Sequence, residues 1–169
     1  DAVLRRMRRR YTAEGFMDRV RALREAFPGC AVTTDVMAGF PGETQEEFGE
    51  TVAFVRAVRF ARCHVFPYSR RPGTDAADMP CQVPRGVKEE RARVLIGVAR
   101  ELELDYTAAQ TGQVQDVLFE EHTGGMLEGY TSRYVRVRSP GPPALVGRLL
   151  PVRITGAGHG LAYGETAGP

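Results

Sequence analysis

The sequence lacks tryptophan altogether and contains only three cysteines and one lysine, whereas arginine supplies 22 of its 23 basic residues. Cys30, Cys63 and Cys81 have none of the spacings of zinc or iron–sulfur ligands, and their odd number argues against a disulfide framework. We expect all three thiols to be reduced and packed as small apolar groups. The residues themselves therefore predict neither a metal site nor a catalytic nucleophile.

Long apolar runs are also missing from the chain. None approaches the roughly 18 residues that a membrane-spanning helix needs, so we expect no membrane contact. The sequence begins without a methionine and without the apolar core of a signal peptide. We therefore expect a fragment of a longer, cytoplasmic protein. Its 43% of hydrophobic and 26% of charged residues are typical of a globular protein with a buried core.

The first two thirds of the chain alternate between helical and extended patterns. Apolar periodicity predicts helices over residues 13–27 and 84–110, and a Thr44–Glu47 capping box predicts a third helix between them. Extended, β-branched runs predict strands over residues 30–38 and 62–69, and residues 70–84 are expected to form a loop. The alternation predicts a parallel sheet with helical crossovers. Two sets of residues recur at helical spacing: Phe16, Val20, Leu23 and Phe27, and Val87, Arg91, Leu95, Val98 and Leu102. The helix that the capping box starts is expected to bury Phe48, Val52 and Val55.

The last third of the chain has a different character. Short alternating segments separated by glycine and proline, such as QVQDVLFE and LEGYTSRYVRVR, predict four or five strands in fewer than 60 residues. That pattern is typical of a small β-barrel that binds nucleic acid strands. We place the domain boundary between residues 1–110 and 111–169.

The segment between the first predicted strand and the helix after it reads GFPGET. Its position at the carboxyl edge of the sheet is where α/β proteins bind ligands. It is not a Walker loop, because no Gly-Lys-Ser/Thr follows, and Pro41 has no amide proton for a phosphate. Gly39 and Gly42 allow close backbone approach, and Phe40 offers an apolar wall, which suits a nucleoside better. A purely structural turn remains an equal alternative.

Two further groups of residues are candidates for binding. His64, Phe66 and Tyr68 follow each other at the end of the second strand and could stack on a base, although packing is the alternative. In the predicted barrel, aromatic and cationic residues alternate as in proteins that bind single-stranded RNA. These are Tyr130, Arg133, Tyr134, Arg136 and Arg138. The barrel residues 111–169 carry five arginines and five acids, so their charge alone does not indicate whether the barrel binds RNA.

Five ordered motifs together resemble the radical S-adenosylmethionine methylthiotransferases that modify tRNA. They are DAVLRRMRRRYT, TTDVMAGFPGETQEEF, RRPGTDAADMP, VPRGVKEERARVLIGVARELELDY and EGYTSRYVRV. The resemblance implies an α/β fold, the carboxyl-terminal part of a radical-SAM partial TIM barrel, followed by a small all-β domain of the TRAM/OB type. The HVFPYSRRPGT stretch is most similar to the branch acting on threonylcarbamoyladenosine. Sister enzymes act on isopentenyladenosine or on a ribosomal-protein aspartate.

The resemblance also implies a reaction and its cofactors. In this family a reduced [4Fe–4S] cluster cleaves S-adenosylmethionine to a radical that abstracts hydrogen from carbon 2 of the modified adenosine. A second cluster and a second S-adenosylmethionine provide the methylthio group. Matching positions imply an S-adenosylmethionine site of Arg9, Asp35, Gly39, Phe40, Gly42, Glu43, Phe66, Pro67 and Tyr68. They imply tRNA contacts at Tyr130, Arg133, Tyr134 and Arg136.

One part of the family pattern is absent from this sequence. The CxxxCxxC motif and the three further cysteines of the family's amino-terminal domain do not occur, and the three cysteines present do not match them. The resemblance thus implies cluster ligands outside this chain, a missing amino-terminal part of the same protein, and an inactive isolated fragment. A non-catalytic RNA-binding module is the main alternative.

Overall fold

A computed structural model of the chain describes residues 1–158 and 160–167. The chain divides into two compact units, Asp1–Leu102 and Glu103–Pro169. This division falls inside the longest helix, whose last turns belong with the second unit. The domain boundary at residue 111 stays a prediction.

The first unit contains five helices and two strands, the last helix continuing into the second unit. The helices are α1 (Ala2–Arg6), α2 (Ala13–Ala26), α3 (Gln45–Val58), α4 (Asp75–Asp78) and α5 (Arg85–Ala108). The strands are β1 (Thr33–Ala38) and β2 (Arg62–Pro67), and they pair in parallel from Thr33 opposite Arg62 to Ala38 opposite Pro67. The predicted parallel pairing with a helical crossover, here α3, is confirmed.

Local signals account for the helix starts. Thr12 Oγ1 accepts a hydrogen bond from Gly15 N at 3.1 Å at the start of α2. The predicted capping box is complete, because Glu47 N donates to Thr44 Oγ1 at 3.2 Å and Thr44 N donates to Glu47 Oε2 at 3.0 Å. These bonds satisfy amides that have no partner within the helix.

The core of this unit lies between one face of the two strands and helices α2, α3 and α5. Its buried apolar side chains come from all of these elements and include Val20, Ala38, Phe48, Val55, Val58, Phe60, Leu95, Val98 and Leu102. Alternation along the strands places Val36 and Val65 against this core, and it turns Asp35, His64 and Phe66 to the opposite face. The packed face therefore anchors the strands whose carboxyl ends carry the candidate turn.

Leu23 and Phe27 continue the helical spacing of Phe16 and Val20, yet they are 42% and 62% exposed. The reason is that α2 ends at Ala26 and packs on the core through Phe16, Met17 and Val20. The prediction of a loop over residues 70–84 was wrong in one part. The segment 70–84 is not all loop, since Thr74 Oγ1 accepts from Ala77 N at 3.3 Å and starts the short helix α4.

The second unit is a closed five-stranded barrel. Its strands are β3 (Val114–Thr123), β4 (Met126–Thr131), β5 (Arg136–Pro140), β6 (Leu149–Gly158) and β7 (Leu161–Thr166). Their order around the barrel is β3-β4-β5-β7-β6, with β5 and β7 parallel and the other pairs antiparallel. Each described strand therefore pairs on both sides, and the interior is filled by residues such as Val117, Phe119, Leu127, Val137, Val152 and Ile154.

The segment LEGYTSRYVRVR forms two strands with a turn between them. Thr131 Oγ1 accepts from the amides of Arg133 and Val135, both at 3.2 Å, which fixes the turn. Tyr134 has a φ of 57°, in the left-handed region. Arg133 and Tyr134 thus lie on a tight turn, while Tyr130 and Arg136 lie on strands.

Among the helices of the described residues, none combines the length and the hydropathy of a membrane-spanning segment.

The barrel depends on a glycine at position 129, where the β3 backbone passes very close. A Cβ there would lie 1.9 Å from the carbonyl oxygen of Leu118. We expect Gly129→Ala to destabilise the barrel by about 3 kcal/mol or more, because backbone cannot yield as a side chain can. The matched control is Gly156→Ala on β6, which would meet nothing within 4 Å. Urea unfolding of both variants is the measurement, and equal stabilities would contradict the close-packing argument.

Candidate functional site

The carboxyl ends of β1 and β2 bring two predicted site residues together. Tyr68 N donates to Ala38 O at 2.8 Å, which joins the segments that leave the two strands. The rings of Phe40 and Tyr68 meet edge to face, with centroids 5.5 Å apart and planes at 69°. Both side chains are buried, and the Tyr68 hydroxyl has no hydrogen-bond partner in the described part of the chain. A buried polar atom without a partner is a candidate contact for a ligand.

The turn from Gly39 to Glu43 needs glycine at both of its glycine positions. Gly39 and Gly42 have φ values of 74° and 75°, which other residues rarely adopt. A Cβ on Gly39 would also lie 2.3 Å from Lys88 Cγ, so helix α5 packs directly on this residue. The Lys88 ammonium lies over the Tyr68 ring, 5.4 Å from its centroid. The only lysine of the chain thus covers the turn.

Three of the four N–H groups of the turn are already engaged within the protein. Gly39 N donates to Glu43 Oε1 at 3.0 Å, Gly42 N to Cys81 O at 2.9 Å and Glu43 N to Phe40 O at 2.9 Å. Just after the turn, Thr44 N donates to Glu47 Oε2 at 3.0 Å. Pro41 has no amide proton. A phosphate would therefore find few donors here, whereas carbonyl oxygens can accept a further bond from a ligand's amino or hydroxyl groups.

Glu43 and Arg91 form a buried ion pair behind the turn. Arg91 Nη1 lies 2.8 Å from Glu43 Oε1 and 3.0 Å from the Glu43 carbonyl oxygen. Their side chains are only 2% and 8% exposed. Burial raises the pKa of Glu43 above its usual value, although the Gly39 amide and the Arg91 guanidinium act in the opposite direction. Oε1 of Glu43 is thus held by two internal donors.

Arg6 of α1 holds the same turn from another direction. Its guanidinium bonds both carboxylate oxygens of Glu47, at 2.5 and 3.0 Å, and donates to Gly42 O at 3.2 Å. The hydrogen bond from Arg6 lowers the pKa of Glu47. Arg9, the arginine implied by the family resemblance, is exposed just beyond α1. The structure therefore brings Arg6, and not Arg9, onto the turn.

Sequence reasoning missed Arg6 and Arg91 as parts of this site. The signal for Arg91 was present, because it is the one charged residue in the apolar stripe predicted for α5. A charge on a buried stripe indicates a buried partner. Arg6 carried no such signal within a run of arginines.

The uncovered face of the two strands carries the remaining candidates. Asp35 pairs in register with His64, and Met37 pairs with Phe66. Asp35 and His64 are exposed, and the His64 and Phe66 rings lie 6.4 Å apart. Pro67 ends β2 and is exposed at the same edge as the turn. By strand alternation, Asp35, Met37, His64 and Phe66 lie on the face opposite the core.

The outer face of the barrel carries a continuous row of exposed side chains. Leu149, Leu118, Tyr130 and Arg136 are direct neighbours in register across β6, β3, β4 and β5. The three apolar members are 62%, 41% and 37% exposed in that order. Tyr134 is 77% exposed on the turn that joins β4 to β5. We call these five residues the barrel face.

The arginines at and beside the barrel face have internal partners. Glu128 pairs with Arg138 and with Arg136, which lies 2.5 Å away. The hydrogen bond from Arg138 is the main cause that lowers the pKa of Glu128, and Arg136 acts in the same direction. Arg133 donates to Gln113 Oε1 at 3.2 Å. Glu128 neutralises part of the local charge, so aromatic and apolar surface dominates this face.

Within residues 1–158 and 160–167, no group of three or more histidine, cysteine, aspartate or glutamate side chains is placed to hold a metal ion. Cys30 and Cys63 are half-buried, and Cys81 is exposed.

Comparison with known proteins adds evidence of ancestry. A family model described as the Radical SAM superfamily matches residues 1–55. Threonylcarbamoyladenosine tRNA methylthiotransferase MtaB of Bacillus subtilis (strain 168) is 42% identical over 98% of this chain and 38% of its own length. A tRNA-2-methylthio-N(6)-dimethylallyladenosine synthase of Pelotomaculum thermopropionicum is 41% identical over 92% of this chain and 35% of its own length. The chain thus spans less than two fifths of these curated relatives.

Removal of Arg91 tests the buried pair. We expect Arg91→Met to cost roughly 3–5 kcal/mol of unfolding free energy, because Glu43 is left as a buried charge without its partner. The double variant Glu43→Gln/Arg91→Met should regain most of that loss, since the introduced side-chain amide is neutral and still accepts from Gly39 N. Arg56→Met is the control, because its pair with Glu101 is exposed and contributes at most about 1 kcal/mol. Urea unfolding measures all three, and a double variant as unstable as the single one would contradict this account.

Proposed function

Because the chain belongs to the radical S-adenosylmethionine tRNA methylthiotransferases, we propose that it is the carboxyl-terminal part of such an enzyme. In this proposal the first unit is part of a radical-SAM (β/α) barrel, and the second is a TRAM-like domain that holds tRNA. The complete enzyme would add a methylthio group to carbon 2 of N6-threonylcarbamoyladenosine next to the anticodon, in the cytoplasm.

The Gly39–Glu43 turn carries the proposal for S-adenosylmethionine. This cofactor presents an adenine amino group, ribose hydroxyls and an α-ammonium, which are donors, and it contains no phosphate. A turn in which three of the four N–H groups are engaged internally suits such a ligand, as does the neighbouring Tyr68 hydroxyl, which is buried and has no partner among the described residues. We assign Gly39, Phe40, Gly42, Phe66, Pro67 and Tyr68 to its nucleoside end. Asp35 would line the open sheet face, and Arg9 would meet the methionyl carboxylate.

The residues of this chain do not fit an iron–sulfur cluster. The cysteines occur singly, and no metal-binding group is formed by the described side chains. Any cluster must therefore be held by residues outside this chain. We derive no catalytic step from it, and the proposed role of this chain is to bind and orient the cofactor and the tRNA.

The barrel face carries the proposal for tRNA. Exposed Tyr130 and Tyr134 provide rings for base stacking, and Leu118 and Leu149 extend the apolar surface beside them. Arg133 and Arg136 would contact phosphates, with Arg136 sharing its charge between Glu128 and the RNA. Both kinds of curated relative have nearly equal identity to this chain. The threonylcarbamoyladenosine assignment therefore rests on the HVFPYSRRPGT stretch, and dimethylallyladenosine is the alternative substrate.

Loss of the two aromatic rings should weaken tRNA binding. Tyr130→Thr keeps a strand-forming residue, and Tyr134→Asn suits the left-handed backbone at that position. We expect each variant to bind tRNA about tenfold more weakly, because stacking on one base contributes roughly 1–3 kcal/mol. Tyr163→Thr, on β7, is the control. Fluorescence anisotropy with labelled tRNA across a salt series measures the affinities. Wild-type affinity in both variants would refute the proposal that the barrel face binds tRNA.

The family assignment predicts a difference between this chain and the complete protein. The chain alone should bind S-adenosylmethionine weakly and contain no iron after reconstitution, since its cysteines do not form a cluster site. The complete gene product should contain a CxxxCxxC motif, bind the cofactor and methylthiolate tRNA. Iron analysis, calorimetry and mass spectrometry of tRNA nucleosides provide the readouts. Stoichiometric iron in the chain alone, or no methylthiolated adenosine from the complete protein, would contradict the proposal. A non-catalytic RNA-binding module would bind tRNA yet leave it unmodified.

A further inference from the structure

Two arginines from different helices bond two consecutive carbonyl groups of the Gly39–Glu43 turn. Arg6 of α1 donates to Gly42 O at 3.2 Å, and Arg91 of α5 donates to Glu43 O at 3.0 Å. Each guanidinium also pairs with a glutamate of the same segment. Arg6 bonds Glu47 through both terminal nitrogens, and Arg91 lies 2.8 Å from Glu43. Each arginine thus holds the turn by bonding one of its carbonyl oxygens and a nearby glutamate carboxylate.

Arg91 also acts on the end of strand β1, through Glu43 and the Gly39 amide. Oε1 of Glu43 accepts from Arg91 Nη1 and from the Gly39 amide at 3.0 Å. The orientation of the Gly39 peptide group is therefore fixed by a carboxylate that is itself fixed by Arg91. All three groups are buried, so water does not compete for these bonds.

We propose that Arg6 and Arg91 are positioning residues that set the geometry of the turn for its ligand without touching it. This inference rests on the proposed function, because the ligand is taken to be S-adenosylmethionine. It also changes the role of Glu43, from a ligand contact to an intermediary between Arg91 and Gly39.

The arrangement requires arginine and not merely a positive charge. A guanidinium is a planar group with several donors and can bond a carbonyl and a carboxylate at once. A lysine ammonium at the same position would still compensate the charge of the glutamate. It cannot reproduce both bonds in the same plane. A lysine variant therefore keeps the charge compensation of the glutamate and loses the bonds that position the turn.

The affinity of the complete protein for S-adenosylmethionine tests the proposal. We expect Arg91→Lys and Arg6→Lys each to bind at least about tenfold more weakly than wild type, with thermal stability largely retained. Arg56→Lys is the matched control, because its pair with Glu101 is exposed and distant from the turn in sequence. Glu43→Gln keeps an oxygen that accepts from Gly39 and Arg91 but removes the counter-charge of Arg91, so it should bind more weakly than wild type and more tightly than Glu43→Leu. Glu43→Leu should bind weakly.

A second measurement uses this chain alone. Hydrogen exchange of the Gly39 amide should be faster in Arg91→Lys than in wild type and unchanged in Arg56→Lys. Wild-type cofactor affinity together with unchanged Gly39 exchange in Arg91→Lys would overturn the positioning role. Absence of cofactor binding by the complete wild-type protein would overturn the proposed function instead, and the Gly39 exchange rates would then still decide whether Arg91 positions the turn. Binding by Glu43→Gln as weak as that by Glu43→Leu, with Gly39 exchange as in wild type, would restore Glu43 as a ligand contact.

Discussion

The buried ion pair between Glu43 and Arg91 is the interaction on which the candidate site depends. Removing two charges from water is costly, and the cost is offset only when each charge has a close partner and further hydrogen bonds. Here the carboxylate has a guanidinium and an amide, and the guanidinium also has a backbone carbonyl. These bonds connect α5 to a turn that lies 48 positions away in sequence and, through the Gly39 amide, to the adjoining end of β1. The geometry of the turn is therefore set by residues that are buried behind it.

Much of the secondary structure could be predicted because its causes are local. The Thr44–Glu47 capping box, the Thr12 cap and the break at Pro67 each depend on residues a few positions apart. The same reasoning failed for Phe27, since apolar periodicity does not say where a helix ends or which of its residues reaches a core. It also failed for α4, whose single turn depends on one threonine cap.

The candidate site was predictable only in part, and the reason is again physical. Gly39, Phe40 and Tyr68 were found because strand ends and glycine turns are visible in the sequence. Arg6 and Arg91 act on the turn across 36 to 48 positions, and no local pattern gives such a pairing. In the barrel face, Tyr130, Tyr134 and Arg136 were likewise found from the sequence, whereas Leu118 and Leu149 were not, because their place in the row depends on strand register. The register shifts between Phe119 and Glu121 and again between Ile154 and Gly156, and alternation alone does not reveal such shifts.

The engaged amides of the turn have a consequence for selectivity between cellular nucleotides. ATP and S-adenosylmethionine share the adenosine group, and they differ in what is attached to its 5′ carbon. Loops that select ATP do so largely by offering free backbone amides to the phosphates. In this turn the amide protons of Gly39, Gly42 and Glu43 are used within the protein, and Pro41 has none. Under the proposed function, a turn with so few free amides would favour S-adenosylmethionine over a triphosphate without any repulsive group.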